Sequence, residues 1–261
     1  MAERAGGVVW IEGVRPICEV LRAGRRRVHR VCIARSRATP GLTELERLLE
    51  RSGAWVERGP VAGGPGPVRA QVDPFPEESF EELLREERSR RFLVALDRVT
   101  DVGNLGSIAR TAEAAGASGL VLEHRNAPPI GSGALRASAG AVEFLRVGRT
   151  PNLTRALRMA RREGIAVLVA DPQGPPLSGL DPAGLQGELI WVFGSEERGV
   201  RPAVRGLEGA VRVGIPLRGR VASLGVAAAA AYLLLRTAEL RHGSGGSGSR
   251  GRRGGAGSSG V

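Results

Sequence analysis

Three short segments hold the polar side chains best placed to do chemistry together. In residues 101–110 (DVGNLGSIAR), Asp101, Gly103, Asn104 and Gly106 form a turn that leads into a helix bearing Arg110. Such a turn leaves free backbone N–H groups and the positive end of a helix dipole facing one spot, where an anion fits. The spacing is G-x-x-G rather than the G-x-G-x-x-G of dinucleotide sites, and Glu123 matches the acid of those sites only weakly. The same letters also fit a plain helix start capped by Asn104, with Arg110 on the surface. In residues 193–200 (FGSEERGV), Gly194 and Gly199 permit tight turns and close approach to a ligand. Glu196 stands where a strand end meets a cleft, able to hold a hydroxyl, an amine or an arginine. In residues 215–231 (IPLRGRVASLGVAAAAA), a strand ends at Ile215 and Pro216, a basic loop follows, and Ser223 leads into an alanine-rich helix. That composition predicts a closely packed neighbour, although a simple capped helix of good propensity reads the same.

These segments need a scaffold, and the pattern supplies one. From residue 91, apolar runs of five to seven residues (RFLVALD, GLVLE, IAVLVA, ELIWVFG, AVRVGIP) alternate with helical stretches such as SIARTAEAAG and NLTRALRMARREG. That alternation predicts an α/β unit with a mostly parallel sheet covered by helices on both faces. Ligands of such sheets bind beyond the carboxyl ends of the strands, which directs attention to the loops after Asp97, Ala170, Phe193 and Pro216. Upstream, residues 8–35 read as strand, helix and strand, and residues 43–52 as an amphipathic helix, making a smaller α/β domain. Residues 59–67 (GPVAGGPGP) and the prolines at 74 and 76 break all periodicity. The expected organisation is an amino-terminal domain over 1–75, a linker over 76–90 with an acidic helix at 77–88, a catalytic domain over 91–242 and a Gly/Ser/Arg tail over 243–261. A tail of that composition is expected to be disordered.

Composition narrows the partners. Among 261 residues, 38 basic against 27 acidic side chains give a formal charge of +11, which points to a polyanion, nucleic acid first. A GC-rich genome that favours arginine codons would leave the same excess as a solvated surface. Aromatics are only 3%, which argues against binding through rows of stacked rings. Two isolated cysteines and three scattered histidines supply neither a disulfide framework, a metal site nor a hydrolase triad. No apolar run is long enough for a membrane span and the amino terminus lacks a signal core, so the expected compartment is the cytoplasm.

In this order the three segments resemble the SpoU or TrmH family of RNA 2'-O-methyltransferases, within the SPOUT superfamily. Members carry D-P-x-N-x-G-x-x-x-R-x-A, then G-x-E-x-x-G, then I-P-M-x-G-x-x-x-S-L-N-V-S-x-A. This chain supplies Asp101, Asn104, Gly106, Arg110 and Ala112, then Gly194, Glu196 and Gly199, then Ile215, Pro216, Gly219, Ser223, Leu224, Val226 and Ala228. Residues 138–143 (SAGAVE), 152–157 (NLTRAL) and the amino-terminal IEGVRPICEVLRAG are similar to the bacterial 23S rRNA guanosine 2'-O-methyltransferase subfamily. Three positions depart: Gly225 and Ala227 stand where the family usually has Asn and Ser, and Val102 replaces a common Pro.

The resemblance implies a trefoil-knotted catalytic domain working as a homodimer, preceded by a ribosomal-protein-like RNA-binding domain. It implies S-adenosylmethionine held by Phe193, Gly194, Gly199, Ile215, Pro216, Leu217, Leu224 and Gly225, with no metal. Arg110 would lie nearest the ribose 2'-hydroxyl, with Asn104 orienting it and Glu196 and Ser223 ordering the loops. A guanidinium titrates above about 12, so clamping phosphate or stabilising an alkoxide suits it better than accepting a proton. Arg15, Arg125, Arg136 and Arg198 are the expected RNA contacts. The rival readings are a tRNA 2'-O-methyltransferase, an RNA-binding or assembly protein that kept the fold and lost turnover, and a nicotinamide-dependent oxidoreductase.

Overall fold

The computed structural model describes residues 7–34, 41–60, 66–85, 91–221 and 223–243. Residues 86–90 of the expected linker and 244–261 of the expected tail lie outside them.

The amino-terminal unit runs β1 (Val9–Glu12), α1 (Val14–Ala23), β2 (Val28–Ile33), α2 (Leu42–Leu49), β3 (Trp55–Arg58) and β4 (Val68–Val72). Its strand order is β1-β4-β2-β3, with β4 antiparallel to both neighbours and β2 parallel to β3. The crossovers through α1 and α2 move the chain the same way along the sheet, so right-handed connections place both helices on one face. There Ile17, Val20, Leu45 and Leu49 pack over Ile11, Val31, Ile33, Val68, Ala70 and Val72. The other face carries no helix of this unit among the described residues. Val68–Val72 is thus a central strand; its buried Val68, Ala70 and Val72 alternate with half-buried Arg69 and Gln71.

The larger unit continues through β5 (Glu77–Ser79), α3 (Phe80–Arg85), β6 (Phe92–Asp97), α4 (Val102–Ala114), β7 (Gly119–Glu123), α5 (Ser132–Ala137) and β8 (Arg146–Thr150). Then come α6 (Leu153–Arg162), β9 (Ala166–Ala170), α7 (Pro182–Gln186), β10 (Leu189–Gly194), α8 (Pro202–Arg205), β11 (Val211–Val213) and α9 (Val226–Gly243). Seven strands in the order β11-β9-β10-β6-β7-β8-β5 pair in parallel throughout. Strands alternate between two cores: Phe92, Val94 and Leu96 face the layer containing α4 and α9, and Leu93 and Ala95 the layer containing α3 and α6. A sheet buried on both faces reads as continuous apolar runs, which is why those runs were visible in the sequence. Fully buried Trp191 shows how α9 is fixed: its Nε1 donates to Thr237 Oγ1 at 3.1 Å, and Thr237 in turn donates to Leu233 O.

One expectation fails here. Residues 77–79 are an edge strand, not the start of an acidic helix, and the helix begins at Phe80, running through Phe80–Arg85 among the described residues. The carboxylates decide it: Glu77 pairs with Arg149 at 2.7 Å and Glu78 with Arg146, both on the neighbouring β8.

The two units lock together through Glu143, in the 3₁₀ turn Ala141–Phe144. Its side chain is 1% exposed and meets Arg26 Nη2 at 2.5 Å, while Arg25 Nη1 donates to the carbonyls of Glu143 and Leu145. Burial pushes the Glu143 carboxyl up, against the pull of Arg26. Gly140, at φ +90, lets Glu19 of α1 pack where a Cβ would stand 2.3 Å from Glu19 Cγ. Removing one partner of a buried pair strands the other charge. Arg26→Ala is therefore expected to cost about 3–5 kcal/mol in denaturant-induced unfolding; a loss below about 1 kcal/mol, the range of exposed pairs, would show that the contact is not buried in solution.

Candidate active site

Strands β9, β10 and β11 end on one side of the sheet, and the loops that follow them enclose a cavity of about 360 Å³. Its walls include Phe193, Gly194, Gly199, Ile215, Leu217 and Leu224, six of the eight residues expected to hold a cofactor, together with Glu196, Arg198 and Ser223. Pro216 lines an adjoining recess with Pro172 and Val221, and Gly225 lines neither. Gly194 earns its place by backbone crowding: a Cβ there would lie 2.1 Å from Gly199 C and 2.2 Å from Val200 N.

The first segment reaches this cavity through one contact. Asp101 caps α4, its Oδ1 accepting from Asn104 N at 2.7 Å. Asn104 is therefore not the cap, and its side chain is free to donate from Nδ2 to Glu196 Oε1 at 3.0 Å. Gly106 lets α4 press on α5, since a Cβ would stand 2.2 Å from that of Ala137. Arg110 is exposed, makes no hydrogen bond or ion pair among the described residues, and does not line the cavity. Six residues of helix set it about 9 Å along the axis from Asn104.

The loop 195–201 is held by Arg201, which bridges the carboxylates that end β6 and β7. Asp97, fully buried at the end of β6, accepts from Arg201 N at 2.7 Å and pairs with Arg201 Nε at 2.6 Å. The same guanidinium meets Glu123 Oε1 at the end of β7, at 2.7 Å. Burial pushes the Asp97 carboxyl up, and the two Arg201 contacts pull against it. On the cavity's far wall Asp171, just past β9, pairs with Arg212 of β11 at 2.7 Å and accepts from Gln173 N. Burial alone would raise its carboxyl; the Gln173 N–H and Arg212 outweigh that and hold it low. The available signal was a carboxylate closing an apolar run in each of RFLVALD, GLVLE and IAVLVAD.

Of the arginines expected at RNA, Arg198 alone lines the cavity. Arg15 and Arg125 are exposed, and Arg136 is exposed with Nη1 3.8 Å from Glu12 of β1.

The SpoU rRNA methylase family model matches residues 91–235. The chain belongs to this family. Its SpoU domain thus holds both the cavity and the Asn104–Glu196 contact. A 23S rRNA (guanosine-2'-O-)-methyltransferase, RlmB, from Xanthomonas axonopodis pv. citri is 29% identical over 247 residues, covering 90% of this chain and 98% of that protein. An uncharacterized tRNA/rRNA methyltransferase from Archaeoglobus fulgidus is 35% identical over 170 residues, 63% of this chain and 72% of the relative. The structure of the SpoU methyltransferase AviRb from Streptomyces viridochromogenes, in complex with AdoMet, superposes with a TM-score of 0.73 at 26% identity, covering 90% and 91% of the two chains. That likeness extends over both units.

Because Gly194 abuts backbone, Gly194→Ala must push the SpoU loop at 199–200 off the sheet. Overpacking of this kind costs about 1–3 kcal/mol. Thermal unfolding is expected to show that loss; an unchanged midpoint would mean the loop yields freely.

Proposed function

We propose that this protein is an S-adenosylmethionine-dependent RNA 2'-O-ribose methyltransferase acting on 23S rRNA. The observation that carries the reading is the convergence of all three segments: the second and third wall one cavity, and Asn104 of the first bonds Glu196 at its edge. Family membership and the similarity to RlmB support it.

The residues fit the cofactor. The cavity volume lies within the usual 300–1,000 Å³ of ligand pockets. Phe193, Ile215, Leu217, Leu224 and Leu233 offer apolar surface for an adenine ring, and Glu196, Ser223 and Gln173 offer polar partners. When bound, S-adenosylmethionine would supply an electrophilic methyl carbon, which would pass to the ribose 2'-oxygen as the thioether sulfur leaves and the hydroxyl proton goes to water. The chain's own task is to hold donor and acceptor in line, because positioning alone can lower such a barrier by several kcal/mol. Asn104 and Glu196 fix α4 against the 195–200 loop, so that a ribose lying across that seam is set against the cavity. Arg110, exposed and without a partner among the described residues, clamps the adjoining phosphate through its forked N–H groups.

Two further elements belong to this reading. The trefoil knot that the family resemblance implies belongs to it, with residues 174–176 running close alongside 213–215: Gly214 N donates to Pro175 O at 2.8 Å, and a Cβ on Gly174 would stand 2.7 Å from Val213 N. A homodimer is supported by α9, where Ala228, Tyr232 and Leu235 form an exposed apolar stripe at helical spacing.

Labelled methyl transfer to rRNA, followed by ribose-methylation mapping, tests the activity and names the nucleotide. Arg110→Ala is expected to lower turnover about a hundredfold while leaving cofactor affinity unchanged, on the scale of misplacing an acceptor that must be held in line; full turnover in this variant would remove Arg110 from the mechanism. Leu235→Glu is expected to yield monomers in sedimentation, and persistence of the dimer would move the interface elsewhere.

A further inference from the structure

The helix-free face of the amino-terminal sheet carries side chains the proposed reaction does not use. Register places Trp10, Gln71, Arg30 and Trp55 in one row across β1, β4, β2 and β3. Their in-register neighbours Ile11, Ala70 and Val31 turn to the helix-covered core. Two of the chain's three tryptophans thus lie on one face, although aromatics are only 3% of the sequence. Each has a guanidinium over its ring: Arg69 lies 4.5 Å from the centroid of Trp10, and Arg30 lies 5.1 Å from that of Trp55. Trp55 is 64% exposed, the most exposed large apolar side chain among the described residues. Nothing in the folding of the unit calls for an indole there.

From this we infer that the face is a stacking platform for unpaired bases of single-stranded RNA. The inference rests on the RNA-directed function proposed above and names where the substrate's flanking strand is held. Three strand spacings separate the two indoles by roughly 14 Å. Between them Gln71 offers amide donors and an acceptor for base edges. Stacking needs a flat π-face and a nearby cation, and every base provides a π-face in return. Open sheet faces with aromatic side chains hold single-stranded RNA in this way, whereas duplex RNA hides its bases and presents phosphates and 2'-hydroxyls. Charge complementarity favours a nucleic acid: residues 1–75 hold 13 arginines against 8 carboxylates, and all 38 basic residues of the chain are arginine. Guanidinium planes stack on bases and aromatic rings as well as pairing with phosphate, which ammonium groups do not. At the β1 edge the platform meets Arg136 of α5, which sits 3.8 Å from Glu12, so a strand leaving the platform passes directly onto the catalytic unit.

The test uses the full chain and an unstructured, fluorescein-labelled RNA of about 12 nucleotides, within the usual span of such sites. Its duplex form is the comparison. The expected result is tighter binding of the single strand, about tenfold weaker binding by Trp55→Leu, and affinity within about threefold of wild type for Trp55→Phe, which keeps a ring. Equal affinity of Trp55→Leu and wild type, or a preference of wild type for the duplex, overturns the platform. A change in sedimentation of Trp55→Leu with unaltered RNA affinity also overturns it and makes the face a protein contact. Calorimetry with S-adenosylmethionine separates the two readings: lack of cofactor binding by wild type sinks the methyltransferase assignment, while wild-type KM for RNA in an active Trp55→Leu enzyme sinks only the platform.

Discussion

The site depends first on Arg201. A fully buried carboxylate at the end of β6 and a nearly buried one at the end of β7 would repel each other and draw in water if left alone. One guanidinium bridges both and, through its own backbone N–H, fastens the loop that follows β10 to the centre of the sheet. Charges taken out of water are costly, and they are retained only where excellent geometry offsets the loss. Here the return is position. The loop carrying Ser195, Glu196 and Gly199 has a single bridge, Gly199 N donating to Ser195 O, to stiffen it, yet it forms a wall of the cavity. Tying its last residue to Asp97 fixes one end, and the Gly194–Gly199 contact fixes the other. Asp171 and Arg212 do the same work on the opposite wall, joining the loop after β9 to β11.

How far the sequence revealed this follows from the range of each force. Strands buried on both faces leave unbroken apolar runs, so the parallel sheet was legible from residue 91 onward. The three motif segments were legible as residues but not as a geometry. Asn104 and Glu196 are 92 positions apart, and no periodicity links them. Asp101 and Asn104 both suit the capping role by type, and sequence alone leaves both open; it is Asp101, three residues earlier, that meets the free N–H. The edge strand at 77–79 was missed for a similar reason. Glu77, Glu78, Glu81 and Glu82 with the leucines that follow favour a helix locally, and Arg146 and Arg149 of a strand distant in sequence override that preference at 77–79.

The departure at Gly225 also gains a physical meaning. A side chain at that position would begin 3.8 Å from Glu196 Oε1, with nothing else within 4 Å. An amide carried there, as the family motif would have it, could bond Glu196. In this chain Asn104 bonds that same oxygen from the opposite segment. The carboxylate is therefore ordered without the missing side chain, and the space beside it is left open toward the acceptor. Arg110 is not part of that arrangement, which is why its role is better read as phosphate capture than as a proton transfer inside the cavity.

The buried Glu143–Arg26 contact bears on how the two units share one substrate. Inter-domain surfaces within a chain are commonly polar and permit relative motion. This one buries an ion pair and two arginine-to-carbonyl bonds, and it seats α1 on the 3₁₀ turn that follows α5. Sliding between the units would expose Glu143 and leave Arg26 unpaired within protein, so the sheet of the small unit keeps a fixed attitude to α4 and α5. In the proposed reaction, the row of Trp10, Gln71, Arg30 and Trp55 and the seam between Asn104 and Glu196 would hold two parts of one substrate RNA, and which nucleotide is methylated would be a matter of spacing along the strand as well as of base contacts in the cavity.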